Sequence, residues 1–494
     1  MSSNKFKICG VGAGILGVPI CSVIASKCPE FSVSVVDNDK AIIDQWNKGS
    51  EHPITEANLY SLFLQLFPGL ENLLKECLGK NLSISSDVDT YLKDADIILI
   101  CVKTPTKSLG FGRGRAADLG SIEEVARQIV SSCTSSAIVV VQSTVPIGAT
   151  DLIVSIFNAN KKVRAIFTCL QITILRKKQN PSNFVVISNP QFVSEGGVTE
   201  SILNPDRVIL GGEPNAPSQK ALAIISSIYE RWVPRDKILT MSTKSAEVSK
   251  LVTNAFLAQR VSSINAIASI CEETAADVRQ VAGAVGWDSR IGPHFLEAGL
   301  GFGGNTLPAD LHRLVYTCES LDLPTVAAYW NSILSVNEYQ ISRFFRKITA
   351  HYCETLRGKK LAILGCAFKK GTPDVKNSPA VFICCRLLLE DALVAVYDPL
   401  SKMDFLADAI IETLGQEPAN LDNIIWCETP MEAASNSDGI IVCTDCDEFK
   451  TLDYKAVYDS MRKPASFFDG RLVAPHSELK EIGFRVEALG LKMQ

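Results

Sequence analysis

The sequence has no long hydrophobic run. Its most apolar stretches, 97–102 and 137–141, are far short of the roughly 20 residues that cross a bilayer and read instead as buried strands. It has no basic excess, with 49 Lys and Arg against 54 Asp and Glu and a net charge of −5, whereas binding to a phosphate backbone calls for clustered positive charge. Neither membrane nor nucleic acid is an expected partner. Histidine is scarce: His52, His294, His312, His351 and His476 form no metal-ligand spacing, so no metal is expected. Low-complexity tracts are absent, as is any internal period of about 20 to 50 residues, which excludes a solenoid. The opening string MSSNKFKICGVGAGILG lacks the apolar core and small-residue cleavage site of an export signal.

Cysteine is plentiful. Sixteen cysteines scattered irregularly over 494 residues are expected to be free thiols in a reducing cytoplasm rather than a disulfide framework. Cys443 and Cys446 have the spacing of a redox or metal pair, but without a second pair they read as buried strand residues. With 47% hydrophobic and 21% charged residues the chain folds, and its length predicts two or three domains. The basic cluster Arg176, Lys177 and Lys178 reads as a solvated loop.

Short β-branched runs alternate with helical stretches from Lys5 to about Ser143, as in KFKICGV, FSVSVVD, ADIILICV and SSAIVVVQS. That alternation predicts a doubly wound α/β lobe, with FVVISNP and RVILGG adding strands to its sheet. From about Thr243 to Ala350 apolar residues recur every three or four positions, predicting long helices. The βαβ pattern resumes at Lys359 with KKLAILG, a helix over 378–390, LVAVYDP, DGIIVCTD and SFFDGR. The fold class is therefore α/β: two Rossmann-like doubly wound lobes joined by a helical core.

The strongest local signal is Gly12-Ala13-Gly14-Ile15-Leu16-Gly17, directly after a strand and opening a helix, with Asp37 ending the next strand. Gly12 suits the tight turn, Gly14 the approach of a pyrophosphate and Gly17 the packing of helix on strand, while the helix N-terminus faces the phosphates. An acid at Asp37 suits a ribose 2′-hydroxyl and repels a 2′-phosphate, so the expected cofactor is NAD rather than NADP.

Further strings follow in order: KTPT (103–106), GRGRAADL (112–119), STVP (143–146), NPQFVSEG (189–196), NPDRV (204–208), WVPRDKIL (232–239), KLVTNAFLAQRVSSIN (250–265), GFGGNTLPADL (301–311), AFKKGTPDVKNS (367–378) and FDGR (468–471). Together they resemble the UDP-glucose 6-dehydrogenases of the UDP-glucose/GDP-mannose dehydrogenase family over nearly the whole chain. The resemblance implies an NAD-binding Rossmann-like domain at 1–243, a central helical dimerisation domain at 244–352 and a UDP-binding Rossmann-like domain at 353–494. It implies a UDP-sugar ligand and a homo-oligomer. The family oxidises the C6 hydroxyl of UDP-glucose twice with NAD, giving UDP-glucuronate and two NADH, and captures the intermediate aldehyde on a cysteine thiolate.

Carried over residue by residue, the resemblance places the cofactor on the glycine loop and Asp37, on Val102, Lys103, Thr104, Pro105 and Thr106, on Ser143 and Thr144, and on Glu195 and Lys376. It places the substrate on Gln191, Phe192, Val193, Ser194 and Glu195, on Lys250 and Asn254, on Phe295, Gly301, Phe302 and Gly303, and on Phe368, Lys369 and Arg471, with Arg290 reaching a neighbouring subunit's ligand. Lys250 and Asn254 would hold the C6 oxygen, and Asp310 and Thr144 match positions that assist water and base. Two chemical positions depart from the family. Thr306 stands where the family has its nucleophilic cysteine, and a hydroxyl of much higher pKa does not replace a thiolate. Gln191 stands where the family has the glutamate that assists thioester hydrolysis, and an amide accepts no proton. Ala309, Glu297, Ile42, Lys103 and Lys376 also differ, and insertions fall near 55–67 and 163–179. The resemblance implies NAD-dependent oxidation of UDP-glucose to UDP-glucuronate, with the full two-step oxidation expected to be reduced or absent because Thr306 replaces the nucleophile; a single two-electron oxidation that releases the aldehyde is a further reading. The alternative is a catalytically inactive paralogue that binds NAD and a UDP-sugar and assembles with an active enzyme.

Overall fold

The computed structural model describes residues 5–49, 67–170, 184–194 and 196–492. Two compact units, residues 1–252 and 253–494, divide within the long helix Thr243–Thr274. In the first unit the strands are β1 (Lys7–Val11), β2 (Ser32–Val36), β3 (Leu82–Ser85), β4 (Ile97–Ile100), β5 (Ile138–Val141), β6 (Val185–Ser188), β7 (Val208–Gly211) and β8 (Ile238–Met241). They form one sheet in the order β3-β2-β1-β4-β5-β6-β7-β8, parallel except where β6 meets β7. Runs such as IILI and VILG are buried at every position because crossover helices cover both faces, as a parallel sheet requires. The strand order reverses between β1 and β4, which opens a crevice at their carboxyl ends. The glycine loop follows β1 and KTPT follows β4.

The second unit begins helical. After the long helix come Val278–Gly286, Thr306–Ser320 and Pro324–His351, and Leu311, Leu314 and Val315 pack with Ile333 and Leu334 in one core. The expected loss of strands between 243 and 350 is what the structure has. Six parallel strands follow: β9 (Lys360–Leu364), β10 (Leu393–Tyr397), β11 (Ile424–Trp426), β12 (Gly439–Val442), β13 (Ser466–Asp469) and β14 (Arg485–Ala488), in the order β11-β10-β9-β12-β13-β14. This repeats the first lobe's reversal, here between β9 and β12. Four strands carried too weak a pattern to be read in the sequence: β3, β8, β11 and β14, each of three or four residues, and in both sheets the outermost positions are among them.

The fifteen cysteines whose side chains the structure describes are free, and all of these but Cys353 are buried. Burial pushes the Cys443 and Cys446 thiols up to about 12, and no described group of His, Cys, Asp and Glu could hold a metal. Among the described residues no helix is long and apolar enough to cross a membrane. Of the two insertions, Phe67 is buried and 163–170 continue the helix Ala149–Leu170; the rest, with Arg176, Lys177 and Lys178, lies outside the described residues.

Candidate active site

The glycine loop is built by the chain's own packing at two of its three glycines. Gly12 adopts φ +110°, and a Cβ there would come within 2.8 Å of the Cys101 carbonyl. A Cβ on Gly17 would lie 1.9 Å from Gly12 O. Gly14 differs, because nothing stands within 4 Å of its Cβ position; the space over it is open to a ligand. Asp37 Oδ2 accepts from Ala13 N–H at 2.8 Å and Oδ1 from Asp39 N–H at 2.9 Å. A carboxylate has about four lone-pair sites, so capacity remains for ribose hydroxyls. Trp46, buried, donates Nε1–H to Ala13 O at 2.9 Å and fixes the loop from behind. The helix Gly17–Lys27 has no acid in its first turn, leaving its N-terminal amides and dipole available to phosphate. Ile15 is exposed, Leu16 packs against the core, and this set fits NAD.

The ends of β4 and β5 are tied together beside this loop. Thr104 donates to Thr144 O at 2.6 Å, and Ser143 donates to Val102 O at 2.7 Å. Lys103 and Pro105 are exposed, and Thr106 bridges to Ala117. Glu247, which sequence reasoning missed, accepts from Gly148 N–H, Thr150 N–H and the Thr150 hydroxyl at 2.8, 3.0 and 2.6 Å. It therefore fastens the helix of Lys250 to the first turn after the β5 loop. Its place three residues before Lys250, on the same helix face, was the available signal. Lys250 is buried, its Nζ 5.2 Å from the Phe192 ring, and the Arg207 guanidinium stacks on that ring at 4.0 Å.

Gln191 turns its amide nitrogen inward, 2.9 Å from Asn189 Oδ1 and 3.1 Å from the Tyr229 hydroxyl. Val193 packs against the core and Ser194 is exposed. Glu195 lies outside the described residues.

In the second unit Asn254, one helical turn beyond Lys250, donates Nδ2–H to Asp310 Oδ2 at 2.6 Å. Arg313 Nη1 donates to Asp310 Oδ1 at 3.0 Å, and all three side chains are buried. Arg313 is a residue the sequence reading passed over; its spacing of three from Asp310 was the signal. Thr306 is exposed and begins the helix Thr306–Ser320, a position where a helix dipole favours negative charge. The preceding loop is held on both sides. Asn337 accepts from Phe302 N–H at 2.9 Å and donates to Phe302 O at 3.0 Å, while Asn377 donates to Gly304 O at 3.0 Å. Gly301 and Gly303 are buried beside it.

The carboxyl ends of β9, β12 and β13 gather the other substrate candidates. Arg471 donates Nε–H to Cys443 O at 3.0 Å and Nη2–H to Phe368 O at 3.4 Å, and Lys369 Nζ sits 5.7 Å from the Phe368 ring. They meet at the second lobe's strand reversal, the place where open α/β sheets bind ligands. Arg290 and Phe295 are both exposed. Arg290 is doubly hydrogen-bonded to Asp288, at 3.0 and 2.7 Å, and the exposed Phe295 has φ +60°. Lys376 pairs with Glu412 at 3.6 Å, and Ile42 packs against the core.

Three consecutive segments match descriptions of the UDP-glucose/GDP-mannose dehydrogenase family: its NAD binding domain over residues 6–233, its central domain over 244–339 and its UDP binding domain over 362–476. The chain is 42% identical to UDP-glucose 6-dehydrogenase of Drosophila melanogaster over 490 residues, covering 99% of this chain and 97% of that protein. It is 43% identical to UDP-glucose 6-dehydrogenase of Mus musculus over 494 residues, with 99% and 94% covered. A solved UDP-glucose dehydrogenase from the hyperthermophilic archaeon Pyrobaculum islandicum is 28% identical, with a TM-score of 0.77 over 100% of this chain and 99% of that one.

Proposed function

The chain belongs to the UDP-glucose/GDP-mannose dehydrogenase family, and from that premise we propose that it oxidises UDP-glucose at C6 by one two-electron step and releases the aldehyde. Bound NAD supplies the acceptor for the hydride lost from the C6 carbon. The glycine loop and Asp37 hold that cofactor, Lys250 and Asn254 hold the C6 oxygen and the charge it develops, and Phe368, Lys369 and Arg471 hold the UDP moiety. The observation that carries the reading is Thr306. Where a thiolate would form a thiohemiacetal, the chain offers an alcohol with no activating base assigned to it, so the aldehyde is not retained for a second oxidation. Gln191 removes the hydrolytic base as well.

Those same two residues favour a second reading, a paralogue that binds NAD and a UDP-sugar and assembles with an active enzyme. Incubation with NAD and UDP-glucose in the presence of hydroxylamine separates the two readings. The UDP-hexodialdose oxime is expected; UDP-glucuronate would contradict the one-step reading, and no product would leave the binding reading.

Self-association is proposed through the helix Thr243–Thr274, which exposes Phe256, Ile267 and Ile270 along one side. Light scattering should show at least twice the 53.6 kDa chain mass, and Ile270→Asp should lower it.

A further inference from the structure

Gln191 sits at the rim of a directional hydrogen-bond network whose members are otherwise buried. Cys101 Sγ–H donates to Gln142 Oε1 at 3.3 Å, which fixes the Gln142 amide with its nitrogen toward Asn189 Oδ1, 3.1 Å away. Asn189 donates Nδ2–H to Ile209 O at 2.9 Å, so its Oδ1 must face the other way. That one oxygen accepts from Gln142, from Gln191 at 2.9 Å and from the Tyr229 hydroxyl at 2.7 Å. Gln191 Nε2 lies also 3.2 Å from Asn189 O and 3.1 Å from the Tyr229 oxygen. Both protons of the Gln191 amide therefore point at acceptors. Burial holds the Tyr229 hydroxyl well above its ordinary range, so it keeps its proton and keeps donating to Asn189.

We propose that Asn189 and Tyr229 are positioning residues that hold Gln191 by its two amide protons, so that position 191 admits only a side chain bringing a donor inward. This rests on the reading of Gln191 as a site residue and adds what the site does with it. The loop carrying Phe192 is tethered by Gln191, and only the carbonyl oxygen of that side chain is left for anything outside the network.

The two amide neighbours cannot turn to serve an anion, and the Tyr229 hydroxyl can do so only by giving up its bond to Asn189 Oδ1. Turning the Asn189 amide would set Oδ1 against Ile209 O and Nδ2 against the Gln142 nitrogen, and turning Gln142 would break its bond from Cys101. An ionised carboxylate at 191 would face two carbonyl acceptors, and a buried unsatisfied acceptor is costly. A carboxyl placed there keeps its proton.

The test is thermal stability against pH for Gln191→Glu beside the parent chain, without any substrate. A free glutamate titrates near about 4.3; here the folded-state value is raised, so stability is intact below that pH and is lost as pH rises through the folded value. The variant should melt within about 1 °C of the parent at pH 4 and about 4 °C or more below it at pH 8. Folding at pH 4 with failure at pH 8 counts the same way. Gln191→Leu, which removes the donors without a charge, should lose stability equally at both pH values. A constant Gln191→Glu loss, including failure to fold at both pH values, or no loss in Gln191→Leu, overturns the proposal. Neither result depends on whether the chain oxidises UDP-glucose.

Discussion

Asn254 Nδ2 and Asp310 Oδ2 lie 2.6 Å apart in a buried pair, and Arg313 takes the other Asp310 oxygen at 3.0 Å. Both carboxylate oxygens are thus engaged by the protein itself, and the Asn254 amide is oriented by an acceptor that cannot turn away. Arg313→Leu would leave that carboxylate without its cation and should cost about 3 to 5 kcal/mol of stability. Urea unfolding measures it; a loss below about 1 kcal/mol would mean that the pair does not hold Asp310.

Thr306→Cys should make the chain capture its own product. The introduced thiol would stand at a helix N-terminus, a setting that favours thiolate. With NAD and UDP-glucose, intact-mass spectrometry should show a covalent adduct near one per chain, absent from the parent. Adding Gln191→Glu should speed release above neutral pH more than below it, because the new carboxyl must first lose its proton. Release that is fastest in acid would contradict this.

Asp37→Ala should weaken NAD binding by about tenfold, roughly 1.4 kcal/mol, and should narrow the preference over NADP. Calorimetric titration with both cofactors is the check. Equal affinity of the parent for both would remove Asp37 from the role.

Alkylation of the native chain at pH 8 should label Cys353 and leave Cys443 and Cys446 unmodified, since burial keeps those thiols near 12. Peptide mapping decides it. Labelling of Cys443 or Cys446 at the rate of Cys353 would reopen a redox role for the pair.

Much of this architecture is legible in the residues. The long β-branched runs declare β1, β4 and β5 because a strand covered on both faces must be apolar throughout, and the glycine spacing declares the loop because backbone clearance is a local property. The site's supporting groups are harder to read. Glu247 meets Gly148 and Thr150 about 100 positions away, and Tyr229 meets Asn189 across 40; such partners are brought together by the sheet and leave no periodic trace. The inward turn of the Gln191 amide is likewise set by Asn189, Ile209 and Gln142 jointly. Sequence alone shows that a base is missing there, not that the position demands a donor.

The proposed single oxidation sets how many hydrides leave each sugar. When NADH formed is counted against UDP-glucose supplied to the purified chain over many turnovers, a ratio of one is expected. Two would contradict the proposal and show that another group captures or hydrates the aldehyde, and no NADH would show that Lys250 and Asn254 no longer support the first step.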